Sequence, residues 1–301
     1  MKPGAEGREP GAEMFGISTH LYVADRLDRD HLVEIAAHGF EAVEVFGVRS
    51  HFDYRDRRAA IALAEWLDDT RLRLHSMHAP IAASYANGNW KDGFSVASAD
   101  EAKRKAAVDE MLATLDVAAA VPFNVLVLHC GVPVPYAAGG DNHRGSLVRS
   151  LEELSPVAER YGVRIAIEVI PNELSTPAAL VELIESDIDA SGLGICMDVG
   201  HARMMGDVVE AIEACSGHLI TTHLHDNRGR SDDHLVPGKG VIDWDAAMLA
   251  FQKVGYDGVW MFELAVAPDR KPILEQAAKA RERLESLLHI GDEMMGMDEE
   301  P

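Results

Sequence analysis

Eight short runs rich in apolar and β-branched residues recur along the chain, separated by longer stretches with helical character. They are FGISTHLY (15–22), EAVEVFG (41–47), LRLHSMHAP (72–80), NVLVLHCG (124–131), VRIAIEVIPN (163–172), LGICMDVGHA (193–202), ITTHLHDN (220–227) and GVWMFEL (258–264). Val125 to Leu128 is apolar at every position, as a strand covered on both faces requires. Between the runs, Thr176-Pro177 offers an N-cap and a first-turn proline before AALVELIES. Ser98 and Glu101 have the spacing of a capping box ahead of EAKRKAAVDEMLATLDVAAA. Strand and helix alternating eight times predict an α/β chain folded as a single (β/α)8 TIM barrel. An open doubly wound sheet competes, but it seldom carries polar residues at nearly every strand end.

No internal repeat or low-complexity linker divides the chain. The barrel domain is expected over 14–290. Residues 1–13 are rich in Gly, Pro and Glu, and 291–301 read GDEMMGMDEEP, so both ends are expected to be disordered tails, the second acidic. The longest gap between runs, from Ile81 to Phe123, contains IAASYANGNWKDGFSVA. It reads either as an active-site lid, with Tyr85, Trp90 and Phe94 over a substrate, or as an ordinary long loop.

Six of the eight runs end in, or run straight into, an ionisable residue of metal-ligand type. His78 follows the strand of the third run, and His129, Glu168 and Asp198 end the strands of the fourth, fifth and sixth, with His201 three residues on. His223 lies in the seventh, Asp232 and His234 in the loop behind it, and Glu263 at the end of the eighth. In a barrel these ends converge on one face. Taken singly, a strand-end histidine is more often structural, and an aspartate before a helix is usually a cap. Glu168 and Glu263 resist that explanation, because RIAIE and VWMFE would bury them. An ionised carboxylate buried unpaired costs several kcal/mol, so it needs a cation or a proton. Glu168, Asp198, His223 and Glu263 together read as a metal site. Oxygen-rich ligation with one nitrogen suits Mn2+, Mg2+ or Co2+, and Zn2+ fits if more histidines join.

Composition bounds the partners. With 28 Lys and Arg against 50 Asp and Glu, the net charge of −22 disfavours a nucleic-acid or anionic-membrane surface. Cys130, Cys196 and Cys215 are too few and scattered for a disulfide framework. A reducing, cytoplasmic setting is expected, and Cys130 and Cys196 read as small core residues.

These motifs resemble the xylose-isomerase-like barrel superfamily, which includes ketose epimerases, sugar isomerases, inosose dehydratases and apurinic-site endonucleases. The resemblance runs from Phe15 to about Leu288. In the isomerase and epimerase branch a single divalent ion is held by Glu, Asp, His and Glu from strands five to eight. Those ligands resemble Glu168 in AIEVIPN, Asp198 in CMDVGHA, His223 in HLHDN and Glu263 in MFEL. DNRGRSDDHLVPGKGVIDW also resembles that branch, including Gly238 and Gly240. The endonuclease branch holds up to three Zn2+ with nine ligands, and its extra five resemble His78, His129, His201, Asp232 and His234. In the isomerase branch such residues contact substrate instead.

The resemblance implies a metal-dependent sugar isomerase or epimerase. The ion would chelate a keto-sugar, and Glu168 and Glu263 would move a proton through an enediolate. A dehydratase or lyase on keto-sugars or inososes would share the first half of that reaction. The same ligand set also suits a multi-zinc phosphodiesterase, or a barrel that binds a metal or polyol without turnover. Asp226 and Asn227 are expected to shape the turn after strand seven, and Gly238 and Gly240 to permit tight turns. Lys239 either meets a substrate phosphate or carboxylate or stays solvated. Homo-oligomers are common among similar proteins.

Overall fold

A computed structural model describes residues 13–188, 192–267 and 269–297. The chain opens with β1 (Phe15–Ser18), α1 (Arg29–Ala37), β2 (Ala42–Phe46), α2 (Arg57–Thr70) and β3 (Arg73–His78). A hairpin of β4 (Ala82–Ala86) and β5 (Asn89–Gly93) precedes α3 (Glu101–Leu115). Then follow β6 (Val125–His129), α4 (Arg144–Tyr161), β7 (Arg164–Glu168), α5 (Pro177–Glu182) and β8 (Leu193–Asp198). The end of the chain holds α6 (Val199–Met205), α7 (Val208–Ala214), β9 (Leu219–His223), α8 (Trp244–Lys253), β10 (Trp260–Phe262) and α9 (Lys271–Met297).

Eight of these strands pair in parallel in the order β10-β1-β2-β3-β6-β7-β8-β9. A parallel bridge between Leu224 and Phe262 joins the two outer strands, with Leu224 N–H donating to Met261 O at 2.7 Å. That closure decides for the barrel over the open sheet. The hairpin is the one pair outside the barrel among the described residues. No helix among them is long and apolar enough to cross a membrane.

The strand alternation sorts the core into two layers. Val125, Val127, Ala166 and Cys196 pack together on the inner face. Their neighbours Leu126, Leu128, Ile165, Ile167 and Ile195 face outward and pack with helix residues such as Leu147 and Leu151. With a period of two, His129, Glu168 and Asp198 continue the inner rows at the C-terminal ends of β6, β7 and β8. All three cysteines are free and buried, as core residues should be.

Thr176 caps α5 by accepting from Ala179 N–H, with Pro177 in the first turn. The expected Ser98–Glu101 capping box does not form. Asp100 caps α3 instead, accepting from Ala102 and Lys103 N–H. Ser98 Oγ accepts from Asp100 N–H, and Glu101 is taken by the Arg104 guanidinium at 2.7 Å, a stronger partner than a backbone amide.

The ends also differ from expectation. The expected N-terminal tail lies outside the described residues except for Glu13, whose carboxylate accepts from the Trp260 indole at 2.7 Å. The acidic tail expected from Gly291 is helical to Met297. Good helix formers dominate there, and Gly291 and Gly296 cost only about 1 kcal/mol each. Residues 298–301 lie outside the described residues.

Candidate metal centre

Because the barrel strands are parallel, their C-terminal ends form one rim, and the ionisable residues gather there. The Nδ1 of His223 is where three carboxylates meet: Glu168 Oε1 at 3.0 Å, Glu263 Oε2 at 3.6 Å and Asp198 Oδ2 at 3.9 Å. All four residues are buried, and one donor atom from each lies within 4.8 Å of the others. Glu168 also receives His78 Nε2 at 3.3 Å and His129 Nε2 at 3.0 Å. Burial pushes its carboxyl up, but His223 and His129 outweigh that and hold it well below the usual range. His223 shows the converse: burial disfavours its charge, and Cys196, Glu263, Glu44 and Glu168 raise its pKa well above normal.

A second cluster adjoins the first. Asp232 Oδ2 lies 3.2 Å from His201 Nε2 and 3.1 Å from His234 Nε2. His225 Nε2 lies 3.0 Å from Asp198 Oδ1 and 3.8 Å from Asp232 Oδ1. Donor atoms of His201, His225, Asp232 and His234 also lie within 4.8 Å of one another. Asp198 links the two clusters and caps α6 through its Oδ1 to His201 N–H at 2.7 Å. Burial lowers the pKa of His234, yet Asp232 and Glu263 outweigh it and raise the value to about 9.

The loop after β9 is organised by Asp226, as its short acidic side chain suggested. Its carboxylate accepts from Asn227, Gly238 and Ile242 N–H and from the Trp244 indole. Asn227 ties the loop back to α6, its Nδ2 donating to Gly200 O at 2.7 Å. Gly238 takes a left-handed φ of 84°. A Cβ on Gly240 would stand 2.2 Å from the Asp226 carboxylate.

The hairpin brings an aromatic side chain to the rim. Trp90 is half-buried and stacks on His20 with ring centres 6.2 Å apart, near Phe46 at 5.5 Å and Tyr85 at 4.7 Å. Phe94 does not share in this cover; it packs into the main core. Lys239 is exposed.

Three residues at the rim were not among those expected from the sequence. His225 had a signal: it lies two residues after His223, the spacing that places side chains on one face of a strand. Glu44 is wholly buried in β2 and receives His223 Nε2 at 3.2 Å and Ser76 Oγ at 2.8 Å. Burial pushes its carboxyl up, but His223, His78 and Ser76 bring it down to about 2. His20 follows β1 on a 3-10 turn that no periodicity flagged. Its Nδ1–H donates to Leu264 O at 2.9 Å, leaving Nε2 as an acceptor, and burial drives its pKa down to about 4.

The residues fit a divalent ion. Buried carboxylates converging on one imidazole nitrogen form an oxygen-rich donor set with one nitrogen. The Nδ1 atom of His225 is buried with no hydrogen-bond partner, which leaves it free to act as a ligand atom.

Residues 32–287 match the family described as xylose isomerase-like TIM barrel. An uncharacterized protein of Methanocaldococcus jannaschii, MJ1311, is 29% identical over 293 residues, 95% of this chain and 92% of that protein. Inosose isomerase of Bacillus subtilis is 30% identical over 128 residues, 40% of this chain and 46% of the enzyme. Among solved structures, a D-tagatose 3-epimerase-like protein superposes with a TM-score of 0.76 at 28% identity, covering 94% of this chain and 99% of that one. The chain belongs to the xylose isomerase-like TIM barrel family.

Proposed function

We propose that this protein is a divalent-metal-dependent isomerase or epimerase of a small keto-sugar or a related polyol derivative. The observation that carries the proposal is the convergence of Glu168, Asp198 and Glu263 on Nδ1 of His223. Relatives named as sugar isomerases and epimerases support the same reaction class. Glu168, Asp198, His223 and Glu263 would hold the ion, which when bound polarises a substrate carbonyl and acidifies the neighbouring C–H.

The chain's own residues supply the rest. Glu168, held ionised by His223 and His129, is suited to take a proton from the carbon beside the carbonyl. Glu263 shares the same imidazole nitrogen and is placed to return it. His201 lies between Asp198 and Asp232, which raise its pKa well above normal against the effect of burial, and it is our candidate for stabilising developing oxyanion charge. His20 presents a neutral Nε2 acceptor to a sugar hydroxyl, and Trp90 covers the apolar face of the ring. His78, His129, Asp232 and His234 complete the wall, and Lys239 is the candidate contact for an anionic substituent.

One observation favours a second reading, a multi-zinc hydrolase: the second donor cluster of His201, His225, Asp232 and His234. The net charge of −22 disfavours a nucleic-acid substrate for it. Elemental analysis combined with deuterium exchange tests both. The proposal expects one tightly held ion per chain and chelator-sensitive incorporation of deuterium beside the carbonyl of a ketose or inosose. Three zinc ions with no exchange on any such substrate would refute it.

A further inference from the structure

We infer that Glu44 is a positioning residue for the ligating face of His223, an inference that rests on the metal-centre reading above. Glu44 is a carboxylate in the middle of an entirely buried strand, AVEVF, where an apolar residue would be expected. The pairing of β2 with β3 shifts register there: Val43 faces Leu74, but Glu44 faces Ser76, leaving His75 as the extra residue. A bulge of this kind re-aims side chains, and here it brings Ser76 Oγ to 2.8 Å from Glu44 Oε2. The same oxygen lies 3.2 Å from Nε2 of His223, with β10 and β1 between the two parent strands in the barrel order.

The two nitrogens of His223 thus have separate partners. Nδ1 faces Glu168, Asp198 and Glu263, and Nε2 faces Glu44. An ion held among those three carboxylates would need the lone pair of Nδ1, which leaves Nε2 to carry the ring's one proton; Glu44, 3.2 Å away, accepts it there and fixes the orientation of the ring. Packing alone does not explain Glu44. Its Oε1 is buried without a hydrogen-bond partner, and a well-packed apolar residue generally serves stability as well as a buried ion pair. Glu44 acts through His223, from the side away from the other carboxylates.

Cobalt titration of the full-length chain tests this, with affinity and the visible d–d band as readouts. Glu44→Ala should bind Co2+ about 10- to 100-fold more weakly than the parent, with an altered band. Glu44→Gln, whose amide oxygen still accepts from Nε2–H without charge, should fall between them and keeps the inference testable if the alanine variant does not fold. Ser76→Ala should weaken binding in the same direction by less. Folded Glu44 variants that bind Co2+ like the parent would overturn the inference and leave the metal centre standing. A parent protein that binds no Co2+ would overturn both.

Discussion

Gly200 lies so close under the His225 ring that a Cβ there would stand 2.0 Å from Cε1 and 2.4 Å from Nδ1. The ring cannot yield easily. It is fully buried, stacks on His234 with centres 4.0 Å apart, and reaches Asp198 at 3.0 Å. Alanine in the first turn of α6 would otherwise favour the helix by up to about 1 kcal/mol. The clash should outweigh that gain, so Gly200→Ala is expected to destabilise by about 1–3 kcal/mol. Displacing His225 from Asp198 should also lower kcat/KM by at least about tenfold. Urea unfolding and steady-state rates measure the two effects; a variant matching the parent in both would show that the His225 position is unimportant.

Glu168 and Glu263 meet at one imidazole nitrogen, and in the proposed function both would hold the ion and move the proton. Glu168→Gln and Glu263→Gln should each cut turnover by about a hundred- to ten-thousandfold. Metal content must be measured alongside. A variant that retains its ion yet loses deuterium exchange isolates the acid–base role. Near-parental turnover in both variants would remove that role from the pair.

Most of the barrel was legible because a strand buried on both faces leaves a continuous apolar run, as Val125 to Leu128 does. The rim was legible where a charge ended such a run, as at Glu168 and Asp198. Glu44 stayed hidden because its charge lies inside the run; its partner, His223, is 179 residues away in sequence. His20 was invisible because its place depends on a carbonyl at Leu264, 244 residues distant. The α3 cap was misplaced by two residues because Ser98 and Asp100 are both good caps, and only the path of the backbone chooses between them.

The hairpin separates binding from stability. Trp90 is half-buried and touches His20, Phe46 and Tyr85 at the rim rather than the main core. Trp90→Ala should therefore raise KM by about tenfold, equivalent to ~1.4 kcal/mol of lost contact, while kcat changes little. Its melting temperature should stay close to the parent's. If KM holds and the melt collapses, Trp90 is a structural residue of the hairpin and covers no substrate.

His51 gives the fold a pH dependence away from the candidate metal centre. It is fully buried, with Nδ1–H donating to Asp25 O at 2.7 Å and Nε2 lying 3.0 Å from Thr19 Oγ1. The Thr19 hydroxyl oxygen already accepts from Phe46 N–H at 2.9 Å, so its proton is free to point at Nε2. That arrangement needs the neutral ring. Burial drives its pKa down from 6.5 to about 4, against the smaller upward pull of the Asp25 carbonyl. The unfolded chain therefore binds the proton first. The stabilisation is present in full above 6.5 and is lost as the pH falls toward about 4. His51→Gln removes this pH-dependent contribution. The variant should be less stable at neutral pH by about 1–3 kcal/mol from the lost hydrogen bonds. Between those two pH values its stability should fall less steeply than the parent's, by up to about 1.4 kcal/mol per pH unit. Urea midpoints across the range test the slope, and parallel curves for parent and variant would show that His51 is not held neutral by the fold.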